Sequence, residues 1–117
     1  MAIILYHNPK CSTSRRTLAL LEDQGIHPTI IEYLKTPPNK TQLKKILQAL
    51  GLEPRDLMRK KEAEYKTARL DDPRLTRDAL IAAMVAHPKL IERPIVINGD
   101  QAAVGRPPEN VLRILKS

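Results

Sequence analysis

An α/β fold on a mixed four-stranded sheet is predicted, in the order βαβ, a block of helices, then ββα. Three observations predict it. An unbroken aliphatic run, Ala2-Ile3-Ile4-Leu5, opens the chain and suits a central strand buried on both faces. Leu18 and Leu21 follow at helical spacing, and Thr29-Ile30-Ile31-Glu32-Tyr33-Leu34 reads as a second strand, which together make a βαβ unit with parallel strands. Near the other end, Asn98-Gly99 separates Ile95-Val96-Ile97 from Ala102-Ala103-Val104, the signal of a hairpin closed by a two-residue type I′ turn.

Each element has its own local reason. The first strand covers residues 2–6, and the helix after it runs from about residue 12 to near Gly25, a residue suited to a helix C-terminus. Thr36-Pro37-Pro38 breaks the pattern. Asn39 with Gln42 forms a capping box, Leu43, Ile46, Leu47 and Leu50 form a helical stripe, and Gly51 stops it. Residues 53–69 are basic and short-helical, Asp71-Asp72-Pro73 is a turn, and Leu80, Ile81, Met84 and Val85 give another stripe. Residues 37–88 thus form a helical block inserted between the halves of a sheet, all within a single domain over residues 1–117. Pro107-Pro108 opens a last helix whose apolar face is Val111, Leu112 and Leu115. This order is a thioredoxin-like arrangement with a helical insertion.

Composition narrows the function. The chain of 117 residues is 42% hydrophobic and 28% charged, as in a globular protein of one domain. Its one cysteine rules out an internal disulfide and a thiolate-rich metal site, and suits a reducing cytoplasm. The apolar start is too short for a signal peptide or a spanning helix. The formal charge of +7 favours anionic partners, yet aromatics are only 3%, without Trp or Phe, so platforms for stacking bases are missing. A small anion is therefore as plausible a partner as a polyanion, and no nucleic-acid or membrane partner is expected.

The chemistry gathers in Tyr6-His7-Asn8-Pro9-Lys10-Cys11-Ser12-Thr13-Ser14-Arg15-Arg16. Cys11 falls beyond the carboxyl end of the first strand, where ligand sites of such sheets lie, and at the start of a helix. Unpaired first-turn N–H groups and the helix dipole favour a thiolate there, and Lys10, Arg15 and Arg16 add positive charge. Pro9 stiffens the loop, Ser12, Thr13 and Ser14 supply helix caps and hydroxyl donors, and His7 stands on the approach. A dithiol cycle would need a second cysteine three residues on, where Ser14 stands, so any disulfide cycle borrows an external thiol. His27 and His87 have no metal-ligand spacing with Cys11.

The chain resembles the glutaredoxin-coupled arsenate reductases, as a short ArsC-like member. The resemblance covers about residues 3–115 in separated blocks: the cysteine loop, Leu57-Met58-Arg59-Lys60-Lys61, His87-Pro88-Lys89-Leu90-Ile91-Glu92-Arg93-Pro94-Ile95-Val96, and Gly105-Arg106-Pro107-Pro108-Glu109. It implies that Cys11 attacks arsenate and that Arg59, Arg93 and Arg106 hold the oxyanion; read from the residues themselves, His7 and Ser14 rank behind them as catalytic candidates. Glutathione then attacks the cysteine–arsenic adduct and glutaredoxin reduces the mixed species, so no bound cofactor or metal is needed and the protein is expected to be a monomer. A cis bond at Arg93-Pro94 is expected by the same resemblance. By pattern alone, Arg59 beside Lys60 and Lys61 reads as a solvated basic face, Arg93 as site or surface, and Arg106 as a cap or a surface ion pair.

Two rivals share the fold. Spx-type transcription regulators also carry an Arg-Pro like Arg93-Pro94, but they commonly use a Cys-x-x-Cys switch and lack the match to Arg106. A thiol oxidoreductase acting on another oxyanion, or on glutathione mixed disulfides, keeps the same residues. The chain stops at Ser117 where longer arsenate reductases continue, which points to a short branch and leaves its substrate open between these.

Overall fold

The computed structural model describes residues 3–115; Ala2, placed in the first strand by sequence, lies outside them. Strand β1 (Ile3–His7) leads into helix α1 (Ser12–Asp23) and strand β2 (Thr29–Glu32). Two further helices of regular length follow, α2 (Lys40–Leu50) and, after a short α3 (Ala63–Thr67), α4 (Arg77–Ala86). Strands β3 (Ile95–Asn98) and β4 (Gln101–Val104) close the sheet, and a 3-10 helix spans Pro108–Ile114. The sheet has four strands in the order β2-β1-β3-β4. β1 pairs parallel with β2 and antiparallel with β3, and β3 pairs antiparallel with β4. This is the mixed α/β sheet of a thioredoxin-like fold, with β1 in the interior as its aliphatic run predicts.

The chain divides into two compact units, residues 1–36 with 93–117, and 37–92. In the first, Leu5, Leu21, Val96, Ala103, Val111 and Ile114 form the core. Leu5 and Leu21 are fully buried, each stabilising the fold by roughly 1.5–3 kcal/mol. α1 ends at Asp23, and the chain turns at Gly25 (φ 76°) with Ile26 N–H bonded to Leu21 O at 3.0 Å. Here the left-handed backbone calls for glycine.

In the second unit, Asn39 and Gln42 close the capping box reciprocally and Gly51 (φ 69°) ends α2. Leu43, Ile46 and Leu47 are the buried face of α2, which packs on α4 through Leu80, Ile81 and Met84. Val85 is only half-buried. The basic stretch holds a 3-10 turn (Pro54–Leu57) and α3. The unit runs on to Glu92, beyond the 37–88 expected, because residues 57–59 and 90–92 pair as a short ribbon. Met58 bridges Ile91, Arg59 N–H donates to Leu90 O (2.7 Å), and Glu92 N–H donates to Leu57 O (2.8 Å).

Three local expectations are corrected. β2 stops at Glu32, because Lys35 and Thr36 N–H groups both bond Glu32 O and curl the chain away at Tyr33-Leu34. The hairpin loop is Gly99-Asp100, since Asn98 pairs with Gln101 in the ladder and its side-chain amide donates to Ile114 O at 2.7 Å. Gly99 (φ 65°) is the only one of the two with positive φ, whereas type I′ needs both. The last helix is 3-10, so its buried positions recur every three residues at Pro108, Val111 and Ile114. Leu112 and Leu115, expected on the apolar face, are half-buried.

Candidate active site

The site is built where β1 hands over to α1. The turn is tight: Cys11 N–H donates to Asn8 O (3.0 Å) and Arg15 N–H to Cys11 O (3.0 Å), while Lys10 N–H donates to Asn8 Oδ1 (3.0 Å). Arg15 clamps the loop by donating from Nη1 to Pro9 O at 2.9 Å. Cys11 is the N-cap residue of α1 in an extended conformation, and no side-chain cap closes there. The Ser14 hydroxyl, one of those expected as caps, goes elsewhere. Ser14, wholly buried, accepts from Asn8 N–H at 3.1 Å and lies 2.6 Å from His7 Nδ1.

These contacts divide the roles. With Asn8 N–H on the Ser14 oxygen, the hydroxyl proton is free to point at His7. Burial lowers the His7 pKa, against the pull of Glu32 and aided by Arg15, which keeps the ring neutral and able to accept that proton. His7 (5% exposed) therefore sits in the floor of the loop, hydrogen-bonded to Ser14, while the sulfur is met by other groups.

Cys11 is half-exposed, and its pKa is lowered. Burial works against the anion but is outweighed by the Ser14 N–H, the charge of Arg93 and its hydrogen bond to the sulfur, and the Thr13 N–H. Arg106 Nη2 stands 3.7 Å from Sγ. Its Nε donates to Arg93 O at 2.8 Å, which ties the two arginines into one frame, and Asn110 Nδ2 holds Arg106 O at 2.8 Å. Arg93 Nε and Nη1 are buried with no hydrogen-bond partner among the described residues. Donors buried in this state cost stability unless something bonds them. A tetrahedral oxyanion in front of Cys11 would accept from the planar guanidinium, whose fork of donors an ammonium lacks.

The backbone that carries these arginines is closely fitted. Both Arg93-Pro94 and Arg106-Pro107 are cis, the first as expected. Gly105 N–H donates to Pro94 O (2.9 Å), and a Cβ at Gly105 would lie 2.6 Å from Thr17 Oγ1 and 2.9 Å from Pro94 Cγ. Glycine is required there to let the Arg106 segment reach Pro94 and α1.

The structure thus brings Cys11, His7, Ser14, Arg93 and Arg106 together. Arg59 belongs to the 37–92 unit, where its guanidinium pairs with Glu62. Sequence reading missed Glu62, although an acid three residues after an arginine is a readable pairing signal. It also missed the packing role of Gly105 and the brace from Asn110. Depressions of about 390 and 460 Å3 lie elsewhere, on the 37–92 unit, and neither is lined by Cys11, Arg93 or Arg106. Among the described residues, no group of three or more His, Cys, Asp or Glu is placed to hold a metal ion, and no helix is long and apolar enough to cross a membrane.

Fold and site together define a thioredoxin-like protein with one thiolate in an arginine frame. The chain matches the ArsC family over residues 6–114 and belongs to it. It is 51% identical to an arsenate reductase of Haemophilus influenzae, over 98% of this chain and 100% of that one. It is 50% identical to an uncharacterised protein of Escherichia coli, over 95% of this chain and 94% of the other. The solved structure of an arsenate reductase from Vibrio cholerae superposes with a TM-score of 0.95 at 59% identity, covering 97% of this chain and 98% of that one.

Proposed function

We propose that this protein is a glutathione- and glutaredoxin-dependent arsenate reductase. The observation that carries the reading is the unpartnered, buried Nε and Nη1 of Arg93 beside a thiol whose pKa is lowered. Arsenate is a tetrahedral oxyanion with one to two negative charges near neutrality. Arg93 and Arg106 hold it, with Arg59 as a third ligand supported by the family resemblance. The Cys11 thiolate attacks arsenic and displaces a hydroxyl group, giving a cysteine–arsenic adduct. Glutathione attacks that adduct, glutaredoxin reduces the mixed species, and arsenite leaves. His7 and Ser14 act on the loop's geometry: their hydrogen bond fixes the turn that aims the Ser14 and Thr13 N–H groups at the sulfur.

With no second cysteine in the chain, the electrons come from outside, and no bound cofactor or metal enters the scheme. The reading places a monomer in the cytoplasm, where glutathione and glutaredoxin are reduced. The test is arsenite production by the purified protein with glutathione, glutaredoxin and glutathione reductase, beside Cys11→Ser. Turnover that requires both Cys11 and glutaredoxin is the expected result. A folded wild-type protein that makes no arsenite, but turns over glutathione mixed disulfides through Cys11, would transfer the site to that chemistry.

A further inference from the structure

Helix α1 buries Ser14, Thr17 and Leu21, so two of its three inward positions carry hydroxyls. Ser14 belongs to the floor of the cysteine loop with His7. Thr17 is wholly buried too, at a position where valine or leucine would gain more from burial, and the proposed reaction gives it no part. Its Oγ1 donates to Thr13 O, one turn back, at 2.9 Å. A hydroxyl bonded to the carbonyl one turn back bends the helix locally. The turn it acts on is the one whose Thr13 and Ser14 N–H groups meet the Cys11 sulfur. Thr17 also faces the strand end that leads to Arg106. A Cβ on Gly105 would stand 2.6 Å from Thr17 Oγ1 and 3.1 Å from its Cγ2, so that backbone rests on the threonine. The next residue brings Arg106 Nη2 to 3.7 Å from Sγ.

We infer that Thr17 is a positioning residue for Cys11: its hydroxyl sets the first turn of α1 and its side chain seats the Gly105-Arg106 segment, so that backbone N–H groups and a guanidinium reach the sulfur together. One side chain thus touches both halves of the sulfur's surroundings without touching the sulfur. The His7–Ser14 bond fixes the loop side of the same turn, and Thr17 fixes its helix side. An N–H stabilises a thiolate only when it is aimed at it, because hydrogen bonds weaken steeply with misalignment. Valine has the shape of threonine and cannot hold the Thr13 carbonyl. Serine keeps the hydroxyl and gives up only the methyl contact with Gly105.

The test is titration of the Cys11 thiolate with pH, followed by its ultraviolet absorbance in the purified protein. In Thr17→Val the thiol should ionise about half a pH unit higher, roughly a threefold loss in its ionisation constant. Thr17→Ser should bring the titration back close to that of the wild type. Arg93 and Arg106, the charged groups that meet the sulfur, and His7 behind Ser14 are the same in every variant. Thr17→Ala adds no bulk against Gly105 and should shift as Thr17→Val does, so it decides the question if the valine variant does not fold. A merely structural role would lower the melting temperature and leave the titration where it was. An unmoved titration in folded Thr17→Val or Thr17→Ala overturns the inference, and so does a Thr17→Ser protein shifted as far as Thr17→Val. The titration uses no arsenate, so it stands or falls separately from the reductase reading.

Discussion

Two arginines with the same proposed task are held in opposite ways. Arg93 opens the sheet unit's cis Arg93-Pro94 bond, its Nε and Nη1 buried with no hydrogen-bond partner among the described residues and its charge spent on a thiol. Arg59 sits on a short ribbon of the helical unit, with its charge already answered by Glu62. The difference teaches that residue type alone does not set what a guanidinium contributes. Arg93 is preorganised and costly to leave empty, so an oxyanion gains the most there. Arg59 is satisfied before any ligand comes, so what it adds is smaller and depends on its acid.

The sharpest way to break this contrast is to remove the fork at each site and keep the charge. Arg93→Lys should lower kcat/KM for arsenate roughly 100-fold, as loss of a preorganised donor does. Arg59→Lys should lower it only about tenfold, since part of its charge is already neutralised. Equal losses in steady-state assays would erase the distinction. Arg93→Ala should also raise the pH at which Cys11 ionises, because Arg93 stabilises the thiolate by charge and hydrogen bond; absorbance of the thiolate against pH reads this directly.

The next effect concerns the backbones that carry the two units. Gly105→Ala puts a methyl into Thr17 and Pro94, and overpacking of this kind costs about 1–3 kcal/mol. The melting temperature should fall by several degrees, with a loss of activity because the Arg106 segment must move. Asn39→Ala in the helical unit loses the capping box at about 1 kcal/mol, and the KM for arsenate should stay as it was. A KM that rises in Asn39→Ala would mean that the helical unit's stability feeds the site.

The smallest effect is one of pH. The folded pKa of His7 is lowered from 6.5 by burial, so between that folded value and 6.5 the unfolded chain binds more protons than the native one. Stability from this group is fully present above pH 6.5 and is lost as pH falls through the folded value. The denaturant midpoint should therefore drop on going from pH 7.5 towards 5, and by less in His7→Asn. An equal drop in both would assign the acid sensitivity to other groups.

Much of the fold was legible because its cues are local. Asn39 and Gln42 sit three apart and can only cap a helix that starts between them, and Gly51 is one of the few residues that accept the left-handed turn there. The aliphatic run at β1 needs no partner to be read as buried. The cysteine loop was legible for the same reason: a strand, a proline turn and a helix start lie within a dozen residues. Ser14 shows where such reading stops, because its hydroxyl had several equally local acceptors and the choice of His7 and Asn8 was made by the packing of the loop.

By itself, then, the sequence determined the order of elements, the capped helix α2, the position of Cys11 at the head of α1, and the family. Tertiary structure alone decided that Asn98 joins the ladder and shifts the hairpin loop, that the last helix winds with three residues per turn, and that Gly105 has no room for a methyl. It also decided that Arg93 is left with open donors while Arg59 is met by Glu62. The physical reason is range. Caps, turns and hydrophobic periods act over a few residues, whereas burial, close approach and the charge at Cys11 depend on groups that are neighbours only once the chain has folded.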